Sequence, residues 1–342
     1  QKKPFNGESA MSRHFTIAKY QLTLEAGERG LVLPPYKGST LRGGFGKAFR
    51  RISCALKETN CNNCLLRTSC PYAYIFETAP HPGSAALRNY ESIPRPFVLE
   101  PPLETKTEYK PGEKLAFNLI LIGRAINYLP YFIVVFRELG ELGIGKMRRK
   151  YRLAEIRALG LNNRESQLVY QAEEQLVRNT NLAIHIDHAE LLRQKDEDKT
   201  LTRLGLNFLT ITRIKFEENY VDRIEFHMLI RSLLRRLSSL AYFHHGWELE
   251  LDFTGLIERA AEVRLVSDGT RWVDWERYSS RQDNKVNMGG LVGMVEYEGC
   301  LDEFLPLLRI GELVHVGKGA VFGMGKYEFS DDTIDKPYFY CQ

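Results

Sequence analysis

The chain has 342 residues, 44% of them hydrophobic, and a formal net charge of +4. This length predicts roughly two domains, and the apolar content is normal for a globular protein with a sizeable core. The mild positive charge permits an anionic partner without requiring one. No window reaches the ~18 uninterrupted apolar residues of a membrane span, and the polar residues 1–10, which precede Met11, lack a signal-peptide core. We therefore expect a soluble, cytoplasmic protein whose fold begins after this segment.

The first predicted elements are a strand and a basic helix. Residues 15–24 alternate as a strand does, and residues 31–33 can extend its pairing. Ser39 and Thr40 are typical N-caps, and apolar side chains recur at helical spacing between positions 41 and 52. The polar positions of this helix are mostly cationic, and a solvated basic face is the simplest interpretation; they are Arg42, Lys47, Arg50 and Arg51.

Four of the six cysteines fall within 17 residues, in the spacing Cys54-x6-Cys61-x2-Cys64-x5-Cys70. The C-x2-C pair is typical of the knuckle that wraps a tetrahedral metal, and a reducing cytosol disfavours disulfides. The sequence therefore predicts a structural metal site with these four thiolates as ligands. Zinc is the first choice because soft thiolates and a closed tetrahedral geometry suit it. An iron–sulfur cluster is the alternative with the same ligands.

Prolines and apolar runs divide the rest of the first half. Residues 71–78 are predicted to form a short strand that leaves the cysteine-rich segment. Residues 94–102 must be extended, because proline restricts the residue before it to β or polyproline conformations. Residues 114–122 are predicted as a strand and residues 127–140 as a strongly apolar helix. The polar, weakly patterned residues 160–200 then predict a linker.

The second half begins with a predicted strand at residues 206–216. From Phe226, apolar side chains recur at helical spacing up to position 241, and Gly246 is the predicted C-cap of this helix. Arg231 and Arg235 lie one turn apart on another face of the same helix. This face is a candidate anion-binding surface or simply a solvated one.

A glycine-rich segment, GKGAVFGMG at residues 317–325, has four glycines in nine residues, too many for a regular helix or strand. Part of this segment repeats an earlier part of the chain. Five residue identities recur 176 positions apart without a gap: Gly123, Pro130, Gly143, Lys150 and Tyr151 match Gly299, Pro306, Gly319, Lys326 and Tyr327. This spacing indicates a duplicated unit of strand, helix, glycine-rich loop and strand.

The duplication predicts an α+β fold of two tandem ferredoxin-like domains, which is also the plan of RNA-recognition modules. The first domain is predicted at residues 11–160, with the cysteine-rich metal-binding insert at 54–70. Residues 161–205 are predicted as a linker or insertion. The second domain is predicted at residues 206–342 and contains the glycine-rich loop.

Several motifs together resemble one family, the CRISPR-associated endoribonucleases of the RAMP superfamily that process precursor CRISPR RNA, in the branch with a cysteine-rich insert. The resemblance extends from Phe15 to Phe329. It rests on the duplicated unit and the glycine-rich loop, together with three shorter runs, which are Cys70-Pro71-Tyr72, the run PFVLEPP at residues 96–102, and Gly143-Ile144-Gly145.

The resemblance implies a metal-independent endoribonuclease that cuts within each repeat. The ribose 2′-OH attacks the adjacent phosphate and leaves a 2′,3′-cyclic phosphate and a 5′-OH. This chemistry needs a general base, a general acid and cations for the developing phosphorane charge. Catalytic residues of the family tend to lie around the first helix, which makes Tyr36 and Lys37 candidates, with Arg42 for the phosphate.

Histidine chemistry gives further catalytic candidates. His244 and His245 follow the basic helix of the second domain, and His81 lies in the proline-rich segment after the cysteines. Helix-end histidines are also often caps, so a structural role is the alternative for the pair.

The RNA is expected to contact cations and glycines in both halves, although any one of these cations could simply be solvated. The candidates are Arg42, Lys146, Arg148, Arg149, Lys150, Arg231, Arg235, Gly317, Lys318, Gly319, Gly323, Gly325 and Lys326. The implied partner is CRISPR repeat RNA, with other CRISPR effector-complex subunits as further candidates and no membrane.

Two other functions remain open on the sequence. A non-catalytic RAMP subunit that binds the repeat-derived handle would share the fold and the basic cleft. A general RNA-binding protein with two RRM-like domains is the other alternative, and the lack of an evident RNP1 aromatic motif counts against it.

Overall fold

The computed structural model describes residues 13–56, 60–78, 93–161, 163–188, 201–279 and 284–330. Its first half consists, in chain order, of β1 (His14–Ala26), β2 (Leu31–Val32), α1 (Gly38–Ser53), α2 (Pro71–Phe76), β3 (Phe97–Glu100), β4 (Glu108–Tyr109), β5 (Lys114–Ile122), α3 (Leu129–Leu142), β6 (Tyr151–Leu159), β7 (Ser166–Gln171) and β8 (Ile184–Asp187). Helices α1 and α3 pack together over the sheet, and their aromatic side chains fill the shared core.

The second half repeats this plan with additional hairpins. Its elements are β9 (Arg203–Thr212), β10 (Lys215–Phe216), β11 (Asn219–Tyr220), α4 (Phe226–Leu240), α5 (Phe253–Glu262), β12 (Arg264–Asp268), β13 (Arg271–Val273), β14 (Glu276–Ser279), β15 (Asn284–Asn287), β16 (Gly290–Glu298), α6 (Leu305–Val314) and β17 (Tyr327–Phe329). A π-helical turn at Ala241–His245 extends α4 and ends at Gly246. No helix within the described ranges is long and apolar enough to cross a membrane.

Both main sheets are antiparallel, and the four strands of each repeated unit have the same order. The first sheet runs β3-β5-β1-β6-β7 and the second runs β12-β16-β9-β17. In each half, the third strand of the βαββαβ unit pairs with the first, and the second and fourth strands lie outside them. This order defines the ferredoxin-like fold. The predicted α+β class and the predicted pair of ferredoxin-like units are therefore correct.

The duplicated residues occupy equivalent places in the two units. Pro130 and Pro306 each lie in the first turn of a helix, α3 or α6, where the missing N–H costs nothing. Tyr151 and Tyr327 begin the strands that follow the two glycine-rich loops. Each tyrosine is buried, and its hydroxyl donates to a carbonyl of the helix in its own unit, at 2.8 Å in the first unit and 2.5 Å in the second. The sequence repeat is therefore a structural repeat.

Residues 71–76 form a helix, so the predicted strand at 71–78 was wrong. Pro71 is the first residue of this helix. Tyr72 and Phe76 are four residues apart and lie on the same face, where their rings stack with centroids 5.2 Å apart. Phe76 also packs against Phe45 of α1, with ring centroids 5.6 Å apart. The helical spacing of these aromatic residues therefore outweighs their β propensity.

Residues 161–205 contain more structure than the predicted linker. Within this range, β7 pairs with β6, and β8 pairs with the first residues of β1. Both strands extend the sheet of the first domain. Near the start of the chain, residues 31–33 also differ from the prediction, because Leu31 and Val32 pair with β4 instead of extending β1.

Helix α1 starts one residue before the predicted caps. Gly38 is its first residue, and Lys37 holds the N-cap position without a side-chain cap. Ser39 and Thr40 therefore lie inside the first turn.

The glycine-rich loop of the second domain packs against the first domain. The Tyr36 hydroxyl donates to the Phe322 carbonyl at 2.7 Å. Gly323 lies so close to the segment after β3 that an added Cβ would be 2.2 Å from Pro101 Cδ and 2.8 Å from the Leu99 carbonyl oxygen. Its absent side chain thus permits the close approach of the two domains.

Gly323→Ala is expected to destabilise the protein more than Gly246→Ala. Their backbones are nearly identical, with φ 80 and ψ 12 at Gly323 and φ 82 and ψ 18 at Gly246. Both substitutions therefore carry the left-handed penalty of ~1–2 kcal/mol. Only at Gly323 does a clash add ~1–3 kcal/mol, since nothing lies within 4 Å of a Cβ at Gly246. Urea unfolding measures both losses, and equal losses would contradict the packing role of the loop.

Candidate nucleic-acid interface

Three arginines converge where the two domains meet. Arg42 comes from α1, Arg277 from β14, and Arg95 from the extended segment before β3. The Arg42 guanidinium lies 5.2 Å from the ring centroids of both Phe76 and Phe322, and that of Arg277 lies 4.8 Å from Phe322. Phe322 of the glycine-rich loop therefore contacts a guanidinium from each domain.

Two of these arginines, Arg42 and Arg277, each have a buried N–H donor without an acceptor in the described structure. Burial, reinforced by the charges of Arg95 and Arg277, lowers the pKa of Arg42 to about 10. Burial also lowers the pKa of Arg277. The Nε atoms of Arg42 and Arg277 are buried without a hydrogen-bond partner, which is costly for a guanidinium. An anion with several oxygen acceptors, such as a phosphate, would satisfy both groups.

Tyr36 and Lys37 lie at the edge of this site, but their polar atoms are engaged. Burial and the charge of Glu100 raise the pKa of Tyr36, whose hydroxyl already donates to the Phe322 carbonyl. The fully buried Lys37 ammonium donates to the Pro35 carbonyl at 3.2 Å and to the Glu104 carbonyl at 3.0 Å. These contacts favour a structural role for both residues.

His244 joins the domains through both of its ring nitrogens. Its Nε2 lies 2.8 Å from the Pro94 carbonyl, and its Nδ1 lies 3.2 Å from the Tyr74 hydroxyl. A neutral ring satisfies both contacts when Nε2–H donates and Nδ1 accepts. The side chain is fully buried, and burial lowers the pKa of His244 to about 3.

His245 is held in a similar way against β1. The Thr16 N–H donates to its Nε2 at 2.8 Å, and its Nδ1 lies 3.2 Å from the Leu240 carbonyl. Its ring also stacks on Phe15 with centroids 4.4 Å apart. Both histidines predicted to be catalytic therefore have geometry that favours domain joining. His81, the third one, lies outside the described residues.

A buried carboxylate lies beneath the glycine-rich loop. Glu100, at the end of β3, is 3% exposed and pairs with Lys326 of the second domain at 2.9 Å. His315 lies 3.2 Å from the same carboxylate oxygen, and Lys19 lies 3.9 Å from the other. Asn118 donates to that second oxygen as well. Burial opposes ionisation of Glu100, but His315 and the two lysines outweigh it and hold the pKa of Glu100 well below its usual range.

The other predicted RNA contacts of the second domain lie in several separate surroundings. The ammonium of Lys326 is paired with Glu100, whereas Lys318 is exposed and its N–H donates to the Arg213 carbonyl at 2.8 Å. Arg231 and Arg235 are exposed on α4 and line a pocket. Glycines of the loop lie against protein atoms: an added Cβ would meet the Arg213 carbonyl at Gly317, Met324 Sδ at Gly319 and the Val316 carbonyl at Gly325.

The equivalent loop of the first half packs within its own domain. Gly145 lies against the Val32 carbonyl, and Arg149 donates to the Arg29 carbonyl at 2.9 Å. The remaining predicted contacts of this loop are exposed, and one is paired with Glu141; they are Lys146, Arg148 and Lys150.

The four predicted metal ligands connect α1 to α2. Cys54 follows α1, Cys61 begins a short 3-10 turn and is followed by Cys64, and Cys70 directly precedes α2. All four thiols are free and half-buried. Burial raises the pKa of Cys61, and the charges of Glu77, Cys54 and Cys70 reinforce this shift. Within the described ranges, no group of three or more His, Cys, Asp or Glu side chains is arranged to hold a metal ion. The metal site therefore remains a prediction.

Sequence reasoning missed two of the three clustered arginines. Arg95 stands between two prolines that fix an extended backbone, a signal that could have identified it as a positioned cation. Nothing in the sequence around Arg277 indicates that β14 brings it to the loop.

Residues 206–327 match the family model of the CRISPR-associated endoribonuclease Cas6. This match covers the second ferredoxin-like unit up to the start of β17. A family model described as an N-terminal domain matches residues 15–182. An uncharacterized protein of Archaeoglobus fulgidus is 25% identical over 299 residues, which cover 86% of this chain and 91% of that protein.

The fold of the whole chain is similar to that of solved Cas6 structures. Thermus thermophilus Cas6 aligns with a TM-score of 0.50 and 17% identity over 92% of this chain and 98% of its own. The product complex of that Cas6 aligns with a TM-score of 0.55 and 16% identity over 92% and 99%. The Cas6-containing chain of a partial Cas6-RT-Cas1–Cas2 complex aligns with a TM-score of 0.54 and 13% identity, over 92% of this chain and 46% of that chain. The similarity in fold to these Cas6 structures thus extends over both ferredoxin-like units.

Burial of a neutral His244 is expected to make stability depend on pH. Its folded pKa of about 3 lies below the ~6.5 of an unfolded histidine. Between these two pKa values, His244 binds a proton in the unfolded chain but not in the folded chain. Stability is complete above about pH 6.5 and falls by ~1.4 kcal/mol per pH unit as the pH drops toward the folded pKa.

The variant His244→Gln can keep both hydrogen bonds and does not titrate. Its free energy of unfolding should therefore fall less steeply than that of the wild type as the pH is lowered below neutrality, as measured by denaturant titration. His185→Gln, at an exposed ring, is the control and should change the slope less. Equal slopes for His244→Gln and the wild type would show that His244 is not buried in its neutral form.

Proposed function

We propose that the chain is an endoribonuclease of the Cas6 family that cleaves precursor CRISPR RNA within its repeats. In the proposed reaction, a ribose 2′-OH attacks the adjacent phosphate, the bond to the 5′-oxygen breaks, and a 2′,3′-cyclic phosphate and a 5′-OH remain. The observation that supports this most is the cluster of Arg42 and Arg277. Their buried, unpartnered Nε atoms lie between two ferredoxin-like units, the second of which matches the Cas6 model.

The proposed role of Arg42 and Arg277 is to bind the scissile phosphate. Charge on the phosphoryl oxygens increases in the transition state, so fixed guanidinium donors stabilise it more than the ground state. Arg95 adds to the positive potential, and its own Nε is held by the Phe76 carbonyl at 2.7 Å. Because protein cations supply this stabilisation, we propose that cleavage does not require a metal. His81 remains our proposal for proton transfer.

A second candidate function is a non-catalytic subunit that binds the repeat-derived handle of the RNA. A specific observation favours it. The ring nitrogens of His244 and His245, the Tyr36 hydroxyl and the Lys37 ammonium all have protein partners. Groups committed in this way are poor donors and acceptors for a substrate proton. Such a protein would hold the RNA at the same domain junction, with slow or absent cleavage.

Cleavage of labelled repeat RNA in the presence of EDTA tests the proposal. The wild type should cut at one position, and a single 2′-deoxy substitution there should abolish cutting while binding persists. Arg42→Lys and Arg277→Lys keep the charge but lose the forked donor, so each should slow cleavage by about ten- to a hundredfold. Arg203→Lys, at an exposed arginine paired with Glu296, is the matched control and should leave the rate unchanged.

Each outcome of this assay favours one function. Tight binding without any cleavage by the wild type would favour the non-catalytic subunit. If both cluster variants cleave at the wild-type rate and have normal melting temperatures, Arg42 and Arg277 take no part in cleavage. Cleavage that persists on a substrate with every 2′-OH removed would refute the 2′-OH mechanism.

We also propose that Cys54, Cys61, Cys64 and Cys70 bind a structural zinc ion. The donor set supports this, because four unpaired thiols near the ends of two helices suit zinc chemically. Zinc, when bound, would tie α1 to α2 and would take no part in cleavage. The iron–sulfur cluster remains the alternative for the same ligands.

Elemental analysis of the purified protein should give about one zinc per chain. Cys61→Ser combined with Cys64→Ser should remove the metal and lower the melting temperature, whereas Cys300→Ser, at an exposed thiol, should change neither. Iron with visible absorbance would support the cluster instead. A protein isolated without either metal, and unable to take one up, would contradict the proposal.

A further inference from the structure

A pocket of about 630 Å³ opens on the second domain, between α4, α5 and the hairpin β10–β11. Its lining includes the apolar residues Met228, Leu234, Leu249, Phe253 and Ile257. Sites that bind small organic groups are typically concave and apolar with a few polar anchors. The pocket is therefore large enough, and of the right character, for a nucleobase with its ribose.

Two arginines stand at the rim of the pocket. Arg231 and Arg235 are exposed, one helical turn apart on α4, and neither is within ion-pair distance of a carboxylate in the described part of the chain. Two guanidinium groups at this spacing suit a phosphate. Phe216 lies beneath Arg231, with 5.8 Å between the guanidinium and the ring centroid, and Tyr242 also lines the pocket. Aromatic rings beside arginines are typical of sites that stack unpaired bases.

Two carboxylates, Glu217 and Glu248, also line the pocket. They would repel a phosphate placed next to them, so the phosphate must lie on the arginine side. A carboxylate can accept a hydrogen bond from the exocyclic amino group of a base. The arrangement therefore favours a base that carries an amino group, such as adenine, over uracil.

The pocket connects to the glycine-rich loop through the β10–β11 hairpin. Arg213 lies shortly before the hairpin, and its carbonyl accepts a hydrogen bond from the Lys318 N–H at 2.8 Å. Glu218 lies in the turn of the hairpin. Its hydrogen bond to Lys215 lowers the pKa of Glu218, and the charges of Lys318 and Arg235 lower it further. Cations of the loop and of the pocket are thus within electrostatic range of one turn.

From these observations we propose that the pocket is a second nucleotide-binding site, which holds an unpaired base of the RNA outside the cleft, with the adjacent phosphate on Arg231 and Arg235. This inference rests on the proposed RNA substrate, but it concerns binding alone. A separate binding assay can therefore test it whether or not the chain cleaves RNA.

The probe is a fluorescent, fully 2′-O-methylated octaadenylate, which cannot be cut by 2′-OH attack, and the readout is fluorescence anisotropy. The double variant Arg231→Ala/Arg235→Ala should lower its affinity at least about tenfold. The control Arg203→Ala/Arg264→Ala removes the same charge from two exposed arginines that are paired with Glu296 and Glu298. It should lower the affinity less than about twofold. Equal losses in the two double variants would overturn the proposal.

Two further measurements separate a base in the pocket from contacts to phosphates alone. Ser238→Trp should fill the pocket while leaving both arginines in place, and it should weaken octaadenylate binding as strongly as the double variant. With the unchanged protein, an octamer of abasic residues should bind about tenfold more weakly than octaadenylate, and octauridylate should lie between them. Equal binding of abasic and adenine octamers would overturn the pocket assignment without any reliance on a variant that might misfold.

The outcomes also distinguish this proposal from the proposed function. Wild-type protein that binds octaadenylate in the pocket but never cuts repeat RNA would contradict the nuclease and leave the pocket intact. Normal repeat cleavage without octaadenylate binding would contradict the pocket and leave the nuclease intact.

Discussion

A buried carboxylate constrains how the two domains meet. Glu100 belongs to the first domain, whereas Lys326 and His315, which contact it, belong to the second. Within the first domain, Glu100 has only Asn118 and the more distant Lys19 beside it. Burying the carboxylate without the closer second-domain partners would be unfavourable, so these contacts favour the domain arrangement that brings the groups together. The same arrangement sets Phe322 beside Arg42 and Arg277. The geometry of the cationic cluster therefore depends on an ion pair that lies outside it.

The two copies of the duplicated unit have kept one scaffold and acquired different contacts. The first loop folds back on its own domain through Gly145, whereas the second loop crosses to the other domain through Gly323. The π-helical turn after α4 has a similar joining role, because it directs His244 and His245 to Pro94 and Thr16 of the first domain. The two copies thus share a fold, and asymmetric contacts between them bring Arg42 and Arg277 together at Phe322.

Sequence reasoning could predict the fold because its signals are local or periodic. The Gly-x6-Pro spacing of Gly123 and Pro130 and the apolar stripe from Phe226 needed no knowledge of distant contacts. The site was less accessible, since Arg277 and Arg42 are far apart in the chain and meet only through the packing of the loop. The two histidines at the helix end were predicted to be catalytic, but Pro94 and Thr16, which contact their rings from the first domain, lie more than a hundred residues away. Those partners favour joining over catalysis.

The domain junction contains two kinds of positive charge, and ionic strength should distinguish them. Lys326 is largely buried and neutralised by Glu100, so dissolved ions screen it little. In the described part of the chain, neither Arg42 nor Arg277 forms an ion pair with a carboxylate, although Glu77 lies within electrostatic range of Arg42. Their charges would exchange counterions for a phosphate backbone, a process that salt opposes directly. Added salt should therefore release a bound nucleic acid from the cleft at concentrations that leave the two domains joined. Salt washes that remove the proposed RNA ligand would then leave the structure intact.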